Sequence, residues 1–95
     1  MKLINETLLD RYRGRQWCWV CGKAGNCSPH HVFARGREDA FRMDIEENIM
    51  PVCIDCHSAV HNGMYRRLYL LDLIGQRIGM WANDLEDVLL RLRHA

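Results

Sequence analysis

The 95-residue sequence has no long apolar run, no internal repeat and no large excess of charge of one sign. No stretch approaches the roughly 20 apolar residues that a bilayer-spanning helix needs. The first fifteen residues include Glu6, Asp10 and several arginines, so they lack the apolar segment of a secretory signal. These absences predict a single cytoplasmic domain over residues 1–95 with no membrane partner.

The net charge of +1 does not by itself indicate a polyanionic partner, but the charges are unevenly distributed. Seven Lys or Arg residues fall between positions 11 and 42, against Glu38 and Asp39. Four acidic residues and no Lys or Arg fall between positions 43 and 63. This division is compatible with one face that meets phosphate, and also with a solvated surface of uneven charge. Charge alone favours the second interpretation.

The hydrophobic pattern predicts an α+β domain of short elements. The expected elements begin with an N-terminal helix over about residues 5–13, where Ile4, Leu8 and Tyr12 recur every four residues. It is followed by turns over 16–29, strands over 30–34 and 48–52, helical turns over 55–61 that stop at Asn62–Gly63, and C-terminal helices over about 64–93. Pro51 limits the second strand to a sheet edge or a strand end. Gly75 and Gly79 predict a bend between the C-terminal helices, and Asn83 with Glu86 resembles a capping pair after that bend.

Four of the five cysteines form two pairs of identical spacing, Cys18 with Cys21 and Cys53 with Cys56. Two intervening residues let both sulfurs of such a pair bind one tetrahedral ion at ~2.3 Å, and soft thiolates suit zinc. The sequence therefore predicts a structural zinc ion. The 31 residues between the pairs exceed the insertion of a short zinc ribbon and should form a structural unit. Cys27 has no partner at this spacing and is expected to be a small buried or surface thiol.

Three other interpretations of the cysteine pairs are open, namely buried free cysteines, haem attachment and a redox pair. The run from Cys53 to His57, CIDCH, matches the pattern of c-type haem attachment. That chemistry occurs on exported proteins and would leave the other pair unexplained. A redox pair would stand alone at the start of a helix in a βαβ unit, which the sequence lacks. Zinc is therefore preferred.

Between and beside the cysteine pairs lie four histidines and one asparagine, namely His30, His31, Asn48, His57 and His61. Because neighbours on a strand point to opposite faces, His30 and His31 can differ in role. His57 follows a zinc cysteine directly, and His61 lies one helical turn later on the same face. His61 is either an ordinary helix-face residue or an accessory metal ligand.

The run from Cys18 to His61 resembles the HNH endonuclease family. The motifs that carry the resemblance are CWVC, PHHV, ENIMPVC and IDCHSAVH, which together span a little under half of the chain. The resemblance implies a small zinc-stapled ββα-metal domain of treble-clef-like type. Its core would cover about residues 16–63, with helices flanking it at both ends.

The resemblance also implies a role for each motif residue. His31 would be the general base that takes a proton from water, and Asn48 would hold the loop between the strands and orient His31. His30 and His57 would bind one catalytic divalent metal, which could be Mg²⁺, Mn²⁺, Ni²⁺ or Zn²⁺. Imidazole ligands favour transition metals over Mg²⁺.

The functional hypothesis is a metal-dependent endonuclease that hydrolyses phosphodiester bonds of DNA. Arg35 and Arg37 would contact neighbouring phosphates. Specificity could come from the C-terminal helices, from a homodimer or from a protein partner. Small proteins of this family are often encoded by phages, so the expected setting is a bacterial or phage-infected cell. The alternative is a non-catalytic zinc module that binds nucleic acid or a protein partner.

Overall fold

A three-stranded antiparallel sheet and four α-helices make up residues 2–95, the part of the chain that this computed structural model describes. The elements are α1 (Glu6–Asp10), β1 (Gly14–Trp17), β2 (Ala24–His31), β3 (Ile49–Cys53), α2 (Ile54–His61), α3 (Arg67–Ile78) and α4 (Ala82–Arg93). Short 3-10 turns over Arg37–Asp39 and Glu46–Asn48 interrupt the loop between β2 and β3. The predicted α+β class is confirmed.

The sheet has the order β1-β2-β3, so β2 is central and β3 is an edge strand. Pro29 in β2 lies opposite Pro51 in β3. Neither proline interrupts the ladder, because β1 pairs with β2 only as far as Cys27 and β3 has no strand on its outer side. The edge position predicted from Pro51 is therefore observed.

The prediction of turns over residues 16–29 is wrong for most of that segment. Residues 14–17 and 24–31 pair as a hairpin, with Gly14 opposite Cys27 and Trp17 opposite Ala24. The turn between the strands contains Gly22 at φ +75°, a left-handed conformation that favours glycine. Cross-strand pairing has overridden a local composition that is typical of turns.

The N-terminal helix is shorter than predicted and ends at Asp10. The Asn5 side chain caps its start by accepting a hydrogen bond from the Leu8 N–H at 3.0 Å. Tyr12 is nevertheless buried, with its ring edge-on to Trp19 at a centroid distance of 6.0 Å. Of the three residues of the predicted helical period, Leu8 and Tyr12 are buried but Ile4 is 59% exposed, and the helix is shorter than the period indicates.

The start of the C-terminal region agrees with the sequence, whereas the later boundaries differ. Asn62 and Gly63 end α2 as predicted, and Gly63 has φ +73°. The bend predicted at Gly75 is wrong, because α3 continues to Ile78 and ends at left-handed Gly79. The predicted capping role of Asn83 is also wrong. It lies inside α4, whose N-cap residue is Trp81.

The main core lies where α3 and α4 cover the sheet and the loop before β3. Leu71, Ile74, Leu85 and Leu89 are fully buried there beside Phe33 and other buried residues. Two arginines of α3 also fix that helix to aromatic rings, Arg67 over Phe33 at 4.1 Å and Arg77 over Trp19 at 4.2 Å. None of the helices in residues 2–95 is long and apolar enough to cross a bilayer.

Gly75 permits a close approach between α3 and the chain that follows it, so we predict that Gly75→Ala is destabilising. An added Cβ would lie 2.1 Å from the Met80 carbonyl oxygen. We expect the free energy of unfolding, measured in urea with zinc present, to fall by about 1–3 kcal/mol. Gly25→Ala is the matched control, because no atom lies within 4 Å of its added Cβ. Equal effects of the two substitutions would contradict this explanation.

Candidate metal centres

Two segments bring four cysteine sulfurs together at the junction of β3 and α2. Cys18 and Cys21 come from the turn between β1 and β2, whereas Cys53 ends β3 and Cys56 lies in the first turn of α2. The four Sγ atoms all lie within 4.8 Å of one another, and those of Cys21 and Cys53 are 3.9 Å apart. Tetrahedral zinc with ~2.3 Å bonds places sulfurs about 3.8 Å apart. The donor set and its spacing therefore fit a structural zinc ion.

Local hydrogen bonds already favour a thiolate within this four-thiol cluster. Burial raises the pKa of Cys18, but hydrogen bonds from the backbone N–H groups of Cys21, Cys53 and Val20 outweigh that effect and lower the pKa to about 7. Burial and neighbouring sulfurs raise the pKa of Cys56. A cation is the group that would allow the sulfurs to ionise together.

Cys27 is buried but lies outside the four-thiol cluster. Its Sγ donates to the Gln16 carbonyl at 3.6 Å, and burial raises its pKa. Cys27 was expected to be either a buried or a surface thiol, and the structure shows that it is buried. Cys27 is therefore a natural control for substitutions in the cluster.

A second potential metal site consists of three histidines, His30 from β2 and His57 and His61 from α2. One ring nitrogen from each lies within 4.8 Å of those of the other two. The ring centroids of His57 and His61, one helical turn apart, are separated by 4.5 Å. This imidazole cluster includes His61, for which the sequence left two roles open. It contains no carboxylate, so its donors suit transition metals better than Mg²⁺.

Ser28 is a further residue of this site that the sequence analysis missed. Its Oγ lies 3.1 Å from Nδ1 of His57, which leaves Nε2 of that ring for a metal. Ser28 precedes His30 by two residues on β2, so strand alternation puts both on one face. Because residues 16–29 were predicted to be turns, this alternation became visible only once β2 was known to begin at Ala24.

Burial keeps His30 and His57 neutral at pH 7. Burial, followed by the charges of His57 and His61, lowers the pKa of His30 to about 4. Burial and His61 also lower the pKa of His57. A neutral imidazole has a lone pair to offer, and a metal at this site would not have to displace a proton from either ring.

His31 has a different environment from His30, as expected for neighbours on a strand. Its Nε2 lies 2.7 Å from Oδ1 of Asp44, and its side chain is 10% exposed. Burial lowers the pKa of His31 more than Asp44 raises it. The ring is therefore neutral at pH 7 and has one nitrogen directed to Asp44.

The state of Asp44 determines which nitrogen of His31 carries the proton. Burial alone would raise the pKa of Asp44, but Arg42, the Asn5 N–H and His31 hold it at about 2. Arg42 donates from Nε at 2.9 Å, and the Asn5 N–H donates at 2.8 Å. An ionised carboxylate only accepts hydrogen bonds, so Nε2 of His31 must donate and Nδ1 retains the lone pair. Asp44 was missed because no sequence spacing connects it to His31.

Asn48 fastens the two ends of the loop between β2 and β3. It is fully buried, and its Oδ1 accepts from the Phe33 N–H at 2.7 Å. Its Nδ2 donates to the carbonyls of Met43 at 3.0 Å and Phe33 at 3.3 Å. The residues directly after His31 are thus tied to the end of the loop that carries Asp44.

The imidazole cluster and His31 line one cavity of about 580 Å³. Three arginines also line it, namely Arg13, Arg35 and Arg67, and no Asp or Glu is among its lining residues in the described chain. Arg35 is one of the two arginines proposed from the sequence for phosphate binding. Arg37 lies outside the lining, in an exposed 3-10 turn. Arg67 reaches the cavity from α3 and Arg13 from the turn between α1 and β1, and both lie too far from the histidine motifs in sequence to be predicted as part of the site.

No known family, curated protein or solved structure matches this chain. The chemistry of the two candidate metal centres and of the cavity is therefore the basis for a proposed function. Both centres have donor sets that fit a metal, and the cavity combines that second centre with positive charge.

We predict that Cys56→Ala removes zinc, whereas Cys27→Ala retains it. Both residues are buried cysteines, but only Cys56 belongs to the four-thiol cluster. Structural zinc contributes apparent binding free energies of ~10–16 kcal/mol in small domains, so Cys56→Ala should be largely unfolded. The measurements are zinc content after dialysis and thermal unfolding. Equal zinc content in the two variants would contradict the assignment.

Proposed function

We propose that the protein is a metal-dependent endonuclease of the HNH type, which hydrolyses phosphodiester bonds of DNA. The observation that carries the proposal is the shared cavity, in which His31 meets the three-histidine cluster. Three arginines line this cavity and would attract a phosphodiester, and each of them also pairs with an acidic side chain outside the lining. The resemblance of the motifs supports the same reaction.

The catalytic metal would be held by His30, His57 and His61. The first two were proposed from the sequence, and the position of His61 supports adding it as a third ligand. A divalent ion there would supply Lewis acidity to the phosphate and its leaving oxygen. Three imidazole ligands would favour the transition metals Zn²⁺ and Ni²⁺ most. They would also bind Mn²⁺ in preference to Mg²⁺.

His31 would act as the general base through Nδ1, because Nε2 is engaged with Asp44. An imidazole that takes a proton from water becomes cationic, and the ionised Asp44 carboxylate would stabilise that cation. Asn48 would keep the loop in place and so hold Asp44 against His31. The loop between β2 and β3 would thus position His31, whereas β2 and α2 would position the three histidine ligands of the metal.

Arg13, Arg35 and Arg67 would contact the phosphates on either side of the scissile bond. Arg35 pairs with Asp39 at 3.5 Å and has a half-exposed side chain, so it can exchange that partner for a phosphate. DNA is accordingly the proposed partner, with specificity supplied by a homodimer or a protein partner. We propose the cytoplasm of a bacterium or a phage-infected cell as its setting.

We predict that His31→Ala abolishes most cleavage while leaving zinc content unchanged. Loss of a general base costs ~10²–10⁴ in rate. The measurement is plasmid nicking with Mn²⁺, Ni²⁺, Zn²⁺ or Mg²⁺, together with zinc analysis. His94→Ala is the control, because His94 is exposed and belongs to neither cluster. If folded wild-type protein cuts with none of these ions, the non-catalytic zinc module becomes the better assignment.

We predict that Asp44→Asn lowers kcat by about 10²–10⁴ and changes KM little. An amide at this position can donate to Nε2 of His31, which would move the ring proton to Nδ1 and leave no lone pair for water. Asp39→Asn is the matched control for kcat, because Asp39 also pairs with Arg42, at 3.4 Å, but makes no contact with His31. Asp39 also pairs with Arg35, so any effect of this variant on DNA binding should appear in KM. Circular dichroism at the assay temperature confirms that each variant is folded. Similar kcat values for the two variants would contradict the role of Asp44.

A further inference from the structure

Two tyrosines stack on each other at the edge of the cavity. The ring centroids of Tyr65 and Tyr69 are 5.5 Å apart and their planes differ by 18°. Tyr65 lies in the turn between α2 and α3, lines the cavity and packs against the main core. Tyr69 lies in the first turn of α3 and is 44% exposed. The stack therefore has one ring anchored in the protein and one ring open to solvent.

The segment 64–69 around the two tyrosines carries several large apolar side chains that are exposed to solvent. Met64 and Leu68 are also large, exposed apolar side chains, so this short stretch carries three of them with Tyr69. A local concentration of exposed apolar residues beside a polar cavity is typical of a binding surface. Because the two tyrosine rings are stacked, the ligand that would fit this surface best is a planar group.

The charge of the adjoining cavity specifies the kind of planar group. Arg67 lies between the two tyrosines in sequence and lines the cavity with Arg13 and Arg35. A ligand that places an anion among these arginines and a ring on the tyrosines has the chemistry of a nucleotide. Every nucleobase has a π-face, so stacking on an aromatic side chain accepts any base.

We propose that Tyr65 and Tyr69 form a stacking platform for an unpaired nucleobase next to the scissile phosphate. In a duplex, each base is already paired and stacked, and its removal costs a few kcal/mol per base. The platform therefore favours DNA that has an unpaired nucleotide at the cleavage position, such as a single strand or a frayed end. This inference rests on the proposed function and adds the substrate class.

Affinities for single-stranded and duplex DNA test the platform. The zinc-loaded protein carries His31→Ala to prevent cleavage. It is titrated into a fluorescein-labelled oligothymidylate or into a labelled blunt duplex of equal length, and binding is measured by fluorescence anisotropy. Adding Tyr69→Ala should weaken oligothymidylate binding about ten-fold and duplex binding less than about two-fold. Tyr69→Phe retains the ring and should restore the affinity. Trp81→Ala is the control, because Trp81 is 79% exposed but lies outside this cavity.

The platform is overturned if Tyr69→Ala leaves oligothymidylate binding unchanged, or weakens both ligands equally. Plasmid nicking by the same Tyr69 variants with His31 intact separates this result from the proposed function. If wild type nicks plasmid and Tyr69→Ala binds oligothymidylate as wild type does, only the platform fails. If wild type neither binds oligonucleotide nor nicks plasmid, both proposals fail.

Discussion

The four-thiol cluster is the constraint on which the rest of the site depends. Cys53 and Cys56 flank the point where β3 becomes α2, and Cys18 and Cys21 hold that junction against the β1–β2 turn. The start and rotation of α2 are thereby fixed, so that His57 and His61 face His30 on β2. A chain of 95 residues buries only a modest core, so a metal bound by the four thiols would contribute a large part of its stability.

A second and independent constraint fixes His31. The segment before α1 joins the loop before β3 through hydrogen bonds from the Leu3 N–H to the Arg42 carbonyl and from the Asp44 N–H to the Leu3 carbonyl. The Asn5 N–H then binds the Asp44 carboxylate. No buried side-chain nitrogen or oxygen in residues 2–95 lacks a hydrogen-bond partner. A satisfied polar network of this kind holds its members in one geometry, so His31 and Asp44 keep a fixed position relative to each other.

The sequence predicted features that depend on local spacing and missed those that depend on distant pairing. The CxxC spacing, the one-turn separation of His57 and His61, and the Asn62–Gly63 helix stop are all local, and the structure contains each of them. The β1–β2 hairpin was missed because its residues resemble turns and become strands only through pairing with each other.

The missing parts of the site have the same cause. Asp44 contacts His31 because the long loop between β2 and β3 folds back to place the carboxylate beside the imidazole. Arg67 lines the cavity because α3 packs with this side chain over the Phe33 ring. Gly75 was interpreted as a bend, although its lack of a Cβ serves a contact with Met80. In each case, tertiary packing rather than neighbouring sequence decided the position.

The most direct test of the central claim is to locate metal ions by anomalous X-ray scattering from crystals soaked in excess zinc. The account predicts two peaks in each chain, one among the four cysteine sulfurs at ~2.3 Å and one among the imidazole nitrogens at ~2.0–2.1 Å. A single peak at the sulfurs, with the three histidine rings turned away from one another, would contradict it. The cavity would then contain a base without a metal.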